Sequence, residues 1–206
     1  MRVLPYGDRA LLAEFDSLEL ALGAHAAWSA APAPGVIELV PGARTVLVRI
    51  DPEVIGLGHA EYWLREHGVT ALDLPAGDTI TLPVIYDGDD LDVVAAAWGC
   101  SVDAVAQRHA EVEWVCAFIG FTAGFGYLVP VGAARLPAVP RRATSRSRVP
   151  AGSIALAADY CGVYPRASAG GWQLIGRTDA VLWDAERDPP ALVAPGTRVR
   201  FTEVQA

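Results

Sequence analysis

The chain has 206 residues, 52% of them hydrophobic and 19% charged, which suits one domain or two small ones and excludes intrinsic disorder. Its 24 acidic and 16 basic residues give a formal net charge of -8, which argues against general nucleic-acid binding. Every basic residue is arginine, so a Walker A lysine, a Schiff-base lysine and a lysine nucleophile are excluded.

Residues 10–15 are short and apolar and read as a strand. Ser17 offers an N-cap to a helix whose face begins with Leu18, Leu22 and His25 and which ends before Pro32. Residues 36–40 and 45–50 are β-branched runs joined by Pro41-Gly42-Ala43-Arg44, a hairpin signal. Residues 58–67 read as a second helix with Gly68 just past its end, and residues 69–74 as a fourth strand. The order β-α-β-β-α-β is the ferredoxin-like split βαβ arrangement. Pro75-Ala76-Gly77-Asp78 is the best linker, dividing the chain into a small α/β domain, 1–77, and a second domain, 78–206.

Residues 79–86 alternate like a strand, 89–98 read as a helix stopped by Gly99, and Ser101 caps a helix through His109 with Asp103 in its first turn. Beyond Ala110 no helix is expected. Short strand-like runs at 112–119, 153–157, 172–177 and 198–202, separated by turn signals, suggest a closed or nearly closed β structure. The fold class is therefore α+β.

Between Trp114 and Ala158 there is no Asp or Glu, yet the span holds Arg135, Arg141, Arg142, Arg146 and Arg148. Two readings stand: a solvated arginine-rich loop, or a site for a carboxylate, a phosphate or an acidic surface, which guanidinium forks match. The Gly120–Tyr127 run carries three glycines whose N–H groups can cradle an anion, but it also reads as a plain aromatic-lined turn. In the Gly170–Thr178 run, Gln173 and Arg177 are an even number of residues apart, so a regular strand puts them on one face and Trp172 and Leu174 on the other. That face suits a small polar ligand, or is the solvent side of a barrel strand.

Cys100, Cys116 and Cys161 are far apart and odd in number, which argues against a disulfide framework and for idle thiols in a reducing compartment. No metal site is expected, since His25, His59, His67 and His109 form neither H-x-H nor H-E-x-x-H. His109, beside Arg108, reads either as a proton shuttle or as a structural residue. No nucleophile elbow occurs, and Asp159 is the lone acid at the edge of the basic span. The acid–base set is incomplete, so the chain either only binds or shares its site with a partner. Asp8, Arg9 and Glu14 interrupt any signal-peptide layout and no long uncharged apolar stretch occurs, so the expected location is cytoplasmic.

Several motifs in order resemble one family: Gly7-Asp8-Arg9-Ala10-Leu11-Leu12, Pro34-Gly35-Val36, Arg108-His109, the Gly120–Leu128 loop, Pro140-Arg141-Arg142-Ala143-Thr144, Arg148-Val149-Pro150-Ala151-Gly152-Ser153 and Gly170–Thr178. The chain resembles the family of the 5-oxoprolinase B-type subunit, also known as allophanate hydrolase subunit 1, which includes a sporulation-kinase inhibitor branch. The resemblance implies a small N-terminal α/β domain and a C-terminal cyclophilin-like β-barrel. It also implies two partners in the ATP-dependent opening of 5-oxoproline to glutamate: a C-type subunit, similar to allophanate hydrolase subunit 2, and the A-type subunit of 5-oxoprolinase. ATP, with Mg2+, is then held mainly by a partner. On this resemblance His109, Arg148 and Arg177 are the catalytic candidates, with His109 as proton carrier. Arg141, with Arg148 and Arg177, holds carboxylate or phosphate, Gln173 orients the lactam, and Gly124 and Tyr127 shape the pocket wall. The chain departs from the family where prolines are usual, at Ala123 and Gly126, and where G-G-Q-T-G is usual, at Ala158-Asp159-Tyr160-Cys161-Gly162. Two other functions stay open: a regulator that binds and inhibits a sensor histidine kinase, and, by fold analogy, a peptide-binding or isomerase-like barrel.

Overall fold

The structure is a computed structural model, and it describes residues 1–67, 69–72, 77–132 and 136–205. The chain divides into two compact units, Met1–Pro75 and Ala76–Ala206. Among the described residues no helix is long and apolar enough to cross a membrane.

The first unit comprises β1 (Arg2–Pro5), β2 (Ala10–Glu14), α1 (Leu18–Ala30), β3 (Val36–Pro41), β4 (Thr45–Ile50) and α2 (Leu57–Glu66). The strands form one antiparallel sheet in the order β1-β2-β4-β3. Strand β4 alternates as a half-buried strand must, with Val46, Val48 and Ile50 turned into a core completed by Leu11, Ala13, Trp28 and Leu64. Helix α1 starts where expected, with Ser17 Oγ accepting from Leu20 N.

One expectation fails here. Residues 69–72 are not a strand, and 73–74, like Gly68 and the first two linker residues, lie outside the described residues. The segment is instead drawn onto α1, where Leu72 N donates to Glu19 O and the Thr70 carbonyl fits against Gly23 so closely that a Cβ there would come within 1.9 Å of its oxygen. The fourth place in the sheet is taken from the other end of the unit, by β1. The observed order is β-β-α-β-β-α, not β-α-β-β-α-β.

The second unit comprises β5 (Thr79–Val84), α3 (Leu91–Trp98), α4 (Val102–Glu111), β6 (Trp114–Ile119), β7 (Gly126–Pro130), β8 (Arg146–Val149), β9 (Ser153–Ala157), β10 (Tyr160–Val163), β11 (Ser168–Gly170), β12 (Gln173–Arg177) and β13 (Arg198–Glu203). Seven strands form a sheet in the order β12-β9-β10-β7-β6-β13-β5, and β8 pairs with β11 in a separate ribbon. The large sheet nearly closes on itself, because Ile85, just after β5, exchanges both backbone hydrogen bonds with Arg177 of β12, at 3.0 and 2.9 Å. Closure brings backbones together, and a Cβ on Gly176 would sit 2.5 Å from Ile85 O.

All five residues of β9 are buried, so both faces of this strand are covered. Ile154 and Leu156 join a core with Trp114, Leu128, Ile175, Val199 and Phe201, while Ala155 and Ala157 join a second, aromatic cluster with Phe125, Tyr164 and Trp172. A bulge in β6 feeds the second cluster. The register shifts between Cys116 and Phe118, so Cys116 stays in the main core while Phe118, two residues on, stacks on Tyr127.

Candidate functional site

The aromatic cluster is built by β6, β7, β10 and the turns around them. Tyr127 stacks on Phe118 at 4.4 Å and meets Tyr160 and Trp172 edge-on at 5.7 and 5.6 Å. Phe125 meets Tyr164 and Trp172 edge-on, both at 5.3 Å. Phe121 is exposed at the β6–β7 turn with φ 66, and its ring leans on Phe125 and Tyr164. Burial raises the Tyr127 and Tyr164 hydroxyls above their ordinary pKa, and the charge of Arg141 opposes this at both.

Arg141 itself is exposed. Its guanidinium lies over Gly171, where a Cβ would come within 3.5 Å of Nη2. No ion-pair partner is present among the described residues. The next residue behaves differently. Arg142 Nη1 donates to Asp90 Oδ1 at 2.6 Å, and Arg146 Nη2 donates to the same oxygen at 2.9 Å. Asp90 Oδ2 accepts from Leu174 N at 2.7 Å. Burial alone would raise this carboxyl, but the Arg146 hydrogen bond, the Leu174 N–H and the two guanidinium charges outweigh it and hold it below the usual carboxylate range. Two arginines of the acid-free span thus converge on a carboxylate from the chain itself.

Tyr127, Arg141 and Gln173 are brought together. Gln173 Nε2 donates to Pro140 O at 2.9 Å, immediately before Arg141, and its Oε1 is buried with no hydrogen-bond partner among the described residues. Gly124, at φ 78, is buried behind Phe125, where a Cβ would meet Trp183 Cβ at 2.8 Å, so it seats the turn rather than forming a wall. Arg148 is exposed on β8, and Arg135 lies outside the described residues.

Gln173 and Arg177 do not share a face in the manner of a regular strand. The register shifts between Leu174 and Gly176, so Gln173 pairs with Leu156 and Arg177 with Ser153, positions of opposite parity on β9. Arg177 Nε instead donates to Asp87 Oδ2 at 2.8 Å.

His109 is fully buried. Its Nδ1 is 2.8 Å from Tyr86 Oη, its Nε2 is 3.3 Å from Cys161 Sγ, and its ring packs on Trp114 and Phe201. Burial lowers its pKa to about 3, so it is neutral at physiological pH. The geometry therefore gives His109 a place in the core, with no exposed atom to pass a proton to a surface ligand.

Asp90, Asp87 and Tyr164 are not singled out by the sequence. The available signal is Asp87-Gly88-Asp89-Asp90, an acidic run that matches the acid-free span in charge but stands 52 residues before Arg142. Among the described residues no group of three or more His, Cys, Asp or Glu could hold a metal ion. The exposed donors at this place are the guanidinium N–H groups of Arg141, which fit an anion.

Comparison with known proteins agrees with this architecture. The family model for the carboxyltransferase domain, subdomain C and D, matches residues 1–193. The B-type subunit of 5-oxoprolinase from Escherichia coli O157:H7 is 42% identical over 175 residues, 82% of this chain and 78% of that protein. The crystal structure of TTHA0988 matches 96% of this chain at 32% identity with a TM-score of 0.75, and this chain covers 40% of that one. The Kluyveromyces lactis urea amidolyase shares the fold, with a TM-score of 0.81 at 21% identity over 98% of this chain and 15% of its own. The match along residues 1–193 and the relative 42% identical across most of both chains establish that this protein belongs to the carboxyltransferase subdomain C and D family, together with the B-type subunit of 5-oxoprolinase.

Proposed function

We propose that the chain is a cytoplasmic, non-autonomous subunit of an ATP-dependent amide or lactam hydrolase, of the 5-oxoprolinase type, working with C-type and A-type partners. The names of its relatives support the class of assembly. A lactam carbonyl is a poor electrophile because amide resonance stabilises it. Transfer of the γ-phosphoryl group of ATP to the lactam oxygen releases ADP and makes that carbon electrophilic; one water adds there, the ring C–N bond breaks with the nitrogen taking up a proton, and a second water hydrolyses the resulting acyl phosphate to the free carboxylate and phosphate. ATP and magnesium belong to a partner in this reading.

The observation that carries the proposal is the contrast between neighbouring arginines. Arg142 and Arg146 are paired to Asp90, with Asp89 3.7 Å from Arg146, while Arg141 keeps an exposed guanidinium with no ion-pair partner among the described residues, close enough to the half-buried Tyr127 for its charge to be felt there. Arg141 holds the substrate carboxylate, and Tyr127 and Trp172 cover the apolar ring. Gln173, itself buried, orients the lactam through its hold on Pro140 O, beside Arg141. Arg148 lends positive potential. Arg177, paired to Asp87, and His109, in the core, support the barrel around the site. Titration of 5-oxo-L-proline into the chain should raise its melting temperature, and Arg141→Gln should abolish the rise. A rise unaffected by Arg141→Gln, or no rise at all, would overturn the assignment.

A further inference from the structure

Asp90 stands at the N-cap position of α3, where an aspartate ordinarily accepts from the backbone N–H groups of the first turn, yet it makes no such bond. Its carboxylate, 4% exposed, is used across the fold, on Arg142, Arg146 and Leu174 N. Burying a charge in this way is costly unless every lone pair is matched, and here the matches come from residues 52, 56 and 84 positions away. One of these partners, Arg142, directly follows Arg141. Arg142 is held through its side chain by Asp90 and through its N–H by Gly171 O at 2.8 Å, and Pro140 O is held by Gln173. Both neighbours of Arg141 are thus pinned while its own guanidinium has no ion-pair partner among the described residues.

We infer that Asp90 is a positioning residue: its clamp on Arg142 and Arg146 sets the backbone of residues 140–142 so that Arg141 presents its guanidinium to the carboxylate of a ligand seated against Tyr127. The inference rests on Arg141 being the carboxylate anchor of the proposed function. It also predicts an effect opposite to simple electrostatics, because removing a negative charge near the site would by itself strengthen anion binding.

The test compares two probes titrated into the full chain by NMR: 5-oxo-L-proline, and 2-pyrrolidinone, the same ring without the carboxylate. The unmodified chain should prefer 5-oxo-L-proline by about tenfold, the size of one charge-assisted contact. Arg141→Gln should remove that preference. Asp90→Asn should cut it about threefold or more while leaving 2-pyrrolidinone affinity unchanged. Arg142→Gln, which removes the charge that Asp90 holds, should do the same and covers the case in which Asp90→Asn does not fold. A preference untouched by both clamp variants, or equal losses for both probes, would overturn the inference and leave the role of Arg141 standing. No preference in the unmodified chain, or one that survives Arg141→Gln, would overturn that role itself.

Discussion

The His109 imidazole and the Cys161 thiol form a fully buried pair, 3.3 Å apart, between α4 and β10. Burial holds His109 neutral in the fold, with its pKa lowered from 6.5 to about 3. The unfolded chain therefore takes up a proton at this residue that the folded chain refuses. The stabilisation is fully present above pH 6.5 and is lost as pH falls from there toward about 3, at up to about 1.4 kcal/mol per pH unit. His25, also lowered by burial, adds to the first unit with the same sign. Urea denaturation at pH 7, 6 and 5 should show the decline, and a flat profile would contradict the burial of His109.

The same environment makes two of the three thiols inert. Burial pushes the Cys116 thiol up to about 12, against opposing hydrogen bonds with the Tyr127 and Phe118 backbone, and raises Cys161 as well. Cys100, just beyond α3, is only half-buried. Iodoacetamide at pH 8 should modify Cys100 alone in the native chain and all three cysteines in urea, as mass spectrometry of the products would show.

A two-residue turn joins β9 to β10, with Ala157 paired to Tyr160, and its first residue, Ala158, has φ 49. That conformation strains a residue carrying a Cβ, whereas glycine adopts it freely. Ala158→Gly should stabilise the second unit by about 1 kcal/mol, read as a higher urea midpoint.

The barrel seam makes the opposite demand. Gly176→Ala would place a methyl group 2.5 Å from Ile85 O, between backbones that have little room to part. A loss of about 1–3 kcal/mol is expected. Gly58→Ala, in α2 with nothing within 4 Å of the new Cβ, should instead be neutral or stabilising by up to about 1 kcal/mol, and is the control.

The sequence is legible where local chemistry decides the outcome. Ser17 and Ser101 cap the helices they precede, and Gly99 ends α3 in the left-handed conformation with φ 62. The hairpin at residues 41–44 and the run of strands after α4 follow equally from turn residues and β-branched periodicity. What long-range packing decides is not legible. Residues 69–72 carry a strand-like composition, but the missing side chain at Gly23 draws them onto α1. Strand β1 is too short to signal itself. The bulges in β6 and β12 invert the parity on which any face assignment depends, which moves Phe118 to the aromatic cluster and separates Gln173 from Arg177. The acid-free span is visible as a charge pattern, and Tyr127, Arg141 and Gln173 do meet. The counter-charges come from residues 87–90, and only the fold of the barrel brings those acids to Arg142, Arg146 and Arg177.

The central claim is that Arg141 anchors a substrate carboxylate for an ATP-driven ring opening shared with partner subunits. Its most direct test is phosphate release by the chain co-purified with its C-type and A-type partners, with and without 5-oxo-L-proline. The account predicts release that depends on 5-oxo-L-proline, with a kcat/KM that falls about tenfold or more when Arg141 is replaced by Gln. Release that ignores 5-oxo-L-proline, or that proceeds unchanged with Arg141→Gln, would contradict it.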